Sequence, residues 1–262
     1  MPMACSSGLD AIPVAPDHIF SSLAISAMTC TASITSIELG KLDLQSIWES
    51  VAVDPEGLAC IRNTDATECR PPDLLRTGTV PFGTQLTALV RIRHRPDAHA
   101  NVKIFANGAL QITGVRSRSE TMDVARTVSG AIGMAAPHDI RVRMVNANMR
   151  TDPPLPRKGF VEYVQSLQGM HAVFDPSISP TAKVYICFAG KDETQQSTVD
   201  GACPCPTHCA TKKSQRRNCY VCVALIHKTG TVMIKGACGE SHIERSAEVI
   251  KRLSAAHRRA YA

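Results

Sequence analysis

Val102 to Gly114 reads VKIFANGALQITG, and Ala224 to Gly236 reads ALIHKTGTVMIKG. Ile104, Gly108, Ile112, Gly114 and Ala125 recur as Ile226, Gly230, Ile234, Gly236 and Ala247, at a constant spacing of 122 residues. The chain therefore carries an internal duplication. Each copy places a turn dipeptide, Asn107-Gly108 or Thr229-Gly230, between runs that alternate every second residue, which is the pattern of a β-hairpin. Strand side chains alternate between faces. Val102, Ile104, Leu110 and Ile112 share one face in the first copy, and Ala224, Ile226, Val232 and Ile234 share it in the second. The opposite face carries Lys103, Phe105, Gln111 and Thr113, then Leu225, His227, Met233 and Lys235. The apolar face is the expected core, and nothing in the pattern covers the other.

A helix is expected behind each hairpin. Ser117 with Glu120, and Ser241 with Glu244, fit the capping box in which a hydroxyl and a carboxylate satisfy free amides at a helix start. Met122, Ala125, Val128 and Ile132, then Ile243, Ala247, Ile250 and Leu253, follow at near-helical spacing. Each helix should pack on the apolar face of its hairpin.

A strand, a glycine turn, a second strand and a capped helix, occurring twice, resemble the TATA-box-binding protein family. Further stretches are similar to that family: LGKLDLQSIW at Leu39 to Trp48, TALVRIR at Thr87 to Arg93, IRVRMVNANM at Ile140 to Met149 and PRKGFVEYVQSL at Pro156 to Leu167. The similarity spans residues 20 to 255. Its divergence and long insertions are more like the versions carried by large DNA viruses than a cellular copy. The resemblance implies an α+β saddle, in which two pseudo-symmetric repeats share one curved antiparallel sheet with helices on the convex face. Duplex DNA would lie against the concave side. The implied organisation is a tail (1–18), repeat 1 (19–136, with a loop insertion at 63–83), repeat 2 (137–255, with a Cys-rich basic insertion at 190–218) and a tail (256–262).

The family inserts apolar wedges into the minor groove and kinks the duplex. Its inner-sheet positions map onto Lys103, Phe105, Gln111 and Thr113, and onto Leu225, His227, Met233 and Lys235. Phe105 matches a wedge phenylalanine, whereas His227 stands at the counterpart in the second copy. The other two wedges fall near Gln85 and Pro180, with Phe82 and Phe174 a few residues away. The central asparagines that read groove acceptors map to Asn146 or Asn148, with Met144 in an ungapped match and Thr29 or Thr31 in the first copy. The phosphate-binding arginine maps to Arg91, and its second-copy match is Ile186 with Lys183 nearby.

The formal net charge of +6 over 262 residues suits a polyanionic partner, since neutralising phosphates releases condensed counterions. Outside the inner sheet, clusters such as Lys212, Lys213, Arg216 and Arg217 fit a solvated surface equally well. No run of about 18 apolar residues is present to span a bilayer, and the first residues lack a signal-peptide pattern. Eleven cysteines, an odd number, point to a reduced intracellular protein. Within the 190–218 insertion and just after it, Cys203, Cys205, Cys209 and Cys219, with His208 and Cys222 as alternates, could hold a structural zinc. Reduced structural cysteines or a redox pair are the other reading, and no cofactor is required.

No nucleophile–base pair, Walker loop or HExxH helix is present, so an enzyme is not expected. The expected function is a general transcription initiation factor, a monomer that binds and bends A/T-rich promoter duplex and recruits initiation factors and RNA polymerase. The expected compartment is the host nucleus or a viral factory, with carriage in the virion as a further option. The alternative is a protein-interaction module that kept the saddle and lost tight DNA binding.

Overall fold

The computed structural model describes residues 19–34, 41–63, 69–70, 85–189, 201–203 and 219–261. Along the chain the elements are β1 (Ile19–Phe20), β2 (Ala24–Ser33), α1 (Leu44–Ser50), β3 (Leu58–Asn63), β4 (Cys69–Arg70), β5 (Gln85–Ile92), β6 (Arg95–Phe105), β7 (Ala109–Val115) and α2 (Arg118–Ala131). The second half continues with β8 (His138–Asp152), α3 (Arg157–Ser166), β9 (His171–Val173), β10 (Ala182–Ala189), β11 (Cys219–Ile226), β12 (Thr231–Ala237) and α4 (Glu240–Tyr261).

One 12-stranded sheet contains every strand of the described residues, in the order β4-β3-β5-β6-β7-β2-β8-β12-β11-β10-β9, with β1 paired to β8. Read outward from the β2–β8 junction, the first half runs β7, β6, β5, β3 and the second β12, β11, β10, β9. The halves are thus joined edge to edge by an antiparallel pair that runs from Ala24 opposite Asn148 to Ser33 opposite His138. This is the α+β saddle that the resemblance implied, an open antiparallel sheet with its helices on one side.

The apolar halves of the strand alternation form that side. Val102, Ile104, Leu110 and Ile112, and their partners Ala224, Ile226, Val232 and Ile234, are fully buried. They belong to one cluster with Val124, Ala125 and Val128 of α2 and Ile243, Ala247 and Ile250 of α4. A side chain of this size gains roughly 1.5–3 kcal/mol on full burial, so the common core holds both halves to one another.

The two hairpin turns match in detail. Gly108 and Gly230 have positive φ values of 74° and 82°. Each glycine carbonyl accepts a bond from the end of its own half's first strand, from Ile34 N at 3.0 Å and from Thr151 N at 2.8 Å. A Cβ on Gly230 would lie 2.5 Å from the Thr151 carbonyl oxygen, so this turn closes only with glycine.

The caps differ. Ser117 Oγ accepts from Glu120 N at 3.1 Å, and the Glu120 carboxylate accepts from Arg116 N at 2.6 Å. In the second half the expected box at Ser241 does not form, because α4 already begins at Glu240. Ser241 lies inside the first turn, and its buried Oγ has no hydrogen-bond partner.

Two boundaries are corrected. Residues 256–261 continue α4 instead of forming a tail, because buried His257 packs edge-on against Phe160 and Tyr163 of α3 at 5.8 and 5.6 Å. Within 63–83, Asn63 closes β3 and Cys69–Arg70 form β4, so part of that insertion extends the sheet. The first 18 residues and most of both insertions lie outside the described residues. No helix among the described residues is long and apolar enough to cross a membrane.

Candidate nucleic-acid interface

The sheet face opposite the helices is built by the other half of the strand alternation. Lys103, Phe105, Gln111 and Thr113 are half-buried there, as are Leu225, His227 and Met233, while Lys235 is exposed. The registers set them side by side: Gln85 opposite Phe105, Thr87 opposite Lys103 and Lys103 opposite Gln111 in the first half. Lys183 stands opposite Leu225, and Leu225 opposite Met233, in the second.

Positive charge predominates on this face. The paired strands carry no Asp or Glu apart from Asp97 near the start of β6 and Asp139 and Asp152 at the ends of β8. They do carry Lys103, Arg143, Lys183 and Lys235 at uncovered positions. Arg143 donates from Nε to Thr31 Oγ1 at 3.1 Å, which puts it on the uncovered side at the centre of the sheet. Arg143, Lys183 and Lys235 enter none of the ion pairs among the described residues. With carboxylates confined to the ends of β6 and β8, these cations sum to a positive field along the open face.

Arg143, together with Arg141, was not singled out from sequence, although the signal is present. In Ile140-Arg141-Val142-Arg143 the apolar residues pack against the core, so the arginines project the other way. Arg141 is paired with Asp139 at 2.8 Å.

The central asparagines are separated by their partners. Asn146 Oδ1 accepts from Gly236 N at 3.1 Å, at the irregularity where β12 slips register against β8. Its oxygen is used inside the sheet. Asn148 faces Ala24 and Met233, and its Oδ1 is shut off from solvent with no hydrogen-bond partner. Met144 is exposed opposite Thr29.

The wedge positions also resolve. Gln85, beside Phe105, is buried at 6% exposure. In the second half the residue beside His227 is Thr181, not Pro180: Thr181 Oγ1 lies 3.4 Å from His227 Nδ1. Phe174 packs against the helix-side core with the Arg157 guanidinium 4.9 Å above its ring, so it is not on the open face. Phe82 lies outside the described residues.

The Arg91 guanidinium forms an ion pair with the exposed carboxylate of Glu56. Arg91 lines a cavity of about 370 Å³ with Asp123, Val124 and Thr127 of α2, at the helix side of the sheet end. Ile186, its second-copy match, is fully buried, and the exposed cation there is Lys183.

Of the suggested zinc ligands, Cys203 and Cys219 meet, with their sulfurs 3.9 Å apart. They share a small apolar cluster with Cys187, Val221 and Tyr185. Cys219 and Cys222 do not converge, because residues three apart on a strand point to opposite faces. Cys222 is buried in the helix-side core, and burial pushes its thiol up to about 12. No group of three potential metal ligands occurs among the described residues. Cys205, His208 and Cys209 lie outside them.

No family model matches the chain, and no curated protein matches it significantly. Among solved structures, Methanococcus jannaschii TBP is similar, with a TM-score of 0.50 and 13% identity over 89% of this chain and 98% of that one. Near-complete coverage of both chains extends the likeness to the whole saddle and both of its halves. At this identity the likeness concerns the fold.

Proposed function

We propose that this protein is a transcription initiation factor that clasps A/T-rich duplex DNA, minor groove inward, against the uncovered face of its sheet. In this reading it bends the duplex and presents its helices to initiation factors and RNA polymerase. The observation that carries the proposal is the charge of the open face: lysines and Arg143 along strands that hold carboxylates only near the ends of β6 and β8. A phosphate backbone draped over such a face gains from counterion release at each neutralised phosphate. The minor groove itself distinguishes little beyond A·T from G·C. Sequence preference would therefore come chiefly from deformability.

The test is a binding measurement on duplexes selected from a random pool. Reversing two open-face lysines, Lys183→Glu with Lys235→Glu, should weaken binding by about tenfold or more, since each lost phosphate contact removes released counterions. Lys158→Glu, on the first turn of α3, should leave binding nearly unchanged. Equal effects of the two changes would refute the proposal.

Two observations favour a second reading, a protein-interaction module on the same saddle. The Asn146 oxygen is already bonded to Gly236 N, and Phe105 is the one phenylalanine at the four mapped wedge positions. Under that reading the wild-type protein would fail to select any duplex.

A further inference from the structure

Phe105 and His227 occupy the same place in the two repeats, at the hairpin turn on the open face, but the structure treats them differently. Phe105 is a purely apolar ring, half-buried, with Gln85 across from it. His227 is fastened to the sheet: Nδ1 lies 3.4 Å from Thr181 Oγ1, and Nε2 is closed off from solvent without a partner.

From this difference we propose, resting on the DNA-binding reading above, that the two halves grip duplex DNA unequally. The first half unstacks a base step with Phe105, and the second holds the backbone without inserting a side chain. The duplex is then kinked at one end only, and the protein sits on it in one orientation.

The two rings differ in what insertion would cost. Inserting Phe105 exchanges water for base faces on a ring with no polar atom to strip. Inserting His227 would break its contact with Thr181 and leave Nδ1 unpartnered between bases, where such burial is costly.

Cations are distributed in the opposite sense. The pair formed by Thr87 and Lys103 in the first half recurs as Lys183 and Leu225 in the second, so one lysine is kept although it changes strand. The second half adds Lys235, exposed where the first has Thr113. That threonine's hydroxyl donates to the Asn101 carbonyl at 3.3 Å instead of facing a phosphate. Arg91, on the first half, is held by Glu56. One half supplies the wedge, and the other supplies more backbone neutralisation.

The DNA this arrangement fits has a readily unstacked pyrimidine–purine step under Phe105 and a stiffer A·T run toward His227. Stacking of the ring on a base in one orientation, and not in the other, gives about a tenfold or greater preference.

The test places 2-aminopurine at either end of duplexes selected with the wild-type protein, and reads its fluorescence together with the end-to-end bend by energy transfer. Unstacking at one end only is expected. Phe105→Ala should abolish both that signal and the bend, Phe105→Leu should retain part of each, and His227→Ala should change neither. Equal unstacking at both ends, or a signal that survives Phe105→Ala, overturns the one-ended kink while leaving DNA binding intact. Failure of the wild type to bind any duplex overturns this inference and the function it rests on together.

Discussion

The two halves of the saddle are alike on the helix side and unlike on the open side. Ile112 and Ile234, Leu110 and Val232, and Ile104 and Ile226 occupy equivalent fully buried sites. Gly108 and Gly230 make equivalent bonds to the first strand of their own half. Across the sheet, Phe105 answers to His227, Gln111 to Met233 and Thr113 to Lys235. The difference shows what each face must satisfy. Close packing makes a core sensitive to a single methylene, so the duplicated apolar pattern has been held. The open face has no helix to pack against, and its residues have diverged in shape while keeping clear of negative charge.

The largest effect that can break this comparison is core truncation. Ile112→Ala and Ile234→Ala should each lose about 2–5 kcal/mol, the range for emptying a buried isoleucine site. Because one sheet and one core span both halves, each variant should still unfold in one cooperative transition when followed by circular dichroism and by fluorescence in urea. Two separated transitions would show that the halves are independent bodies.

A smaller effect distinguishes the caps. Burial alone would raise Glu120, but bonds from Arg95 and from Arg116 N outweigh it and hold the carboxyl below the usual glutamate range. Arg95 grips both carboxylate oxygens, at 3.0 and 2.8 Å. A depressed carboxyl stabilises the fold above the unfolded-state value, and that stability is lost as the pH falls through the folded value. Wild-type stability should therefore decline as the pH drops below the ordinary glutamate value of about 4.5, and Glu120→Gln should flatten that decline. Near neutral pH Glu120→Gln should cost about 1–3 kcal/mol, the cost of leaving a partly buried charged group less well paired. Glu244→Gln, where no box forms, should cost almost nothing by the same urea titration.

Much of the fold was legible because it is written locally. Glycine turns and two-residue alternation define both hairpins within about a dozen residues each, and their repetition announced the second half. The resemblance supplied the single sheet, which local pattern alone does not specify: the β2–β8 junction pairs residues more than 100 positions apart, such as Ala24 with Asn148.

The candidate site was less legible, for reasons that are each geometric. Asn146 and Asn148 were equivalent in sequence until the slip of β12 brought Gly236 N to one of them. Nothing in the local pattern placed Glu56 beside Arg91, which the resemblance mapped to a phosphate contact. Cys219 and its alternate Cys222 were interchangeable as zinc ligands until they fell on one strand, where that spacing divides them between two faces. Ser241 lost its cap to a helix start one residue earlier. Thr181 could be assigned as the neighbour of His227 only once the register of β10 against β11 was fixed.

The central claim, that a duplex lies on the open basic face, is tested most directly by the dependence of DNA affinity on salt. With Lys103, Arg143, Lys183 and Lys235 each neutralising a phosphate, the binding constant should fall about 100-fold between roughly 50 and 200 mM monovalent salt. An affinity that stays flat across that range would contradict the account.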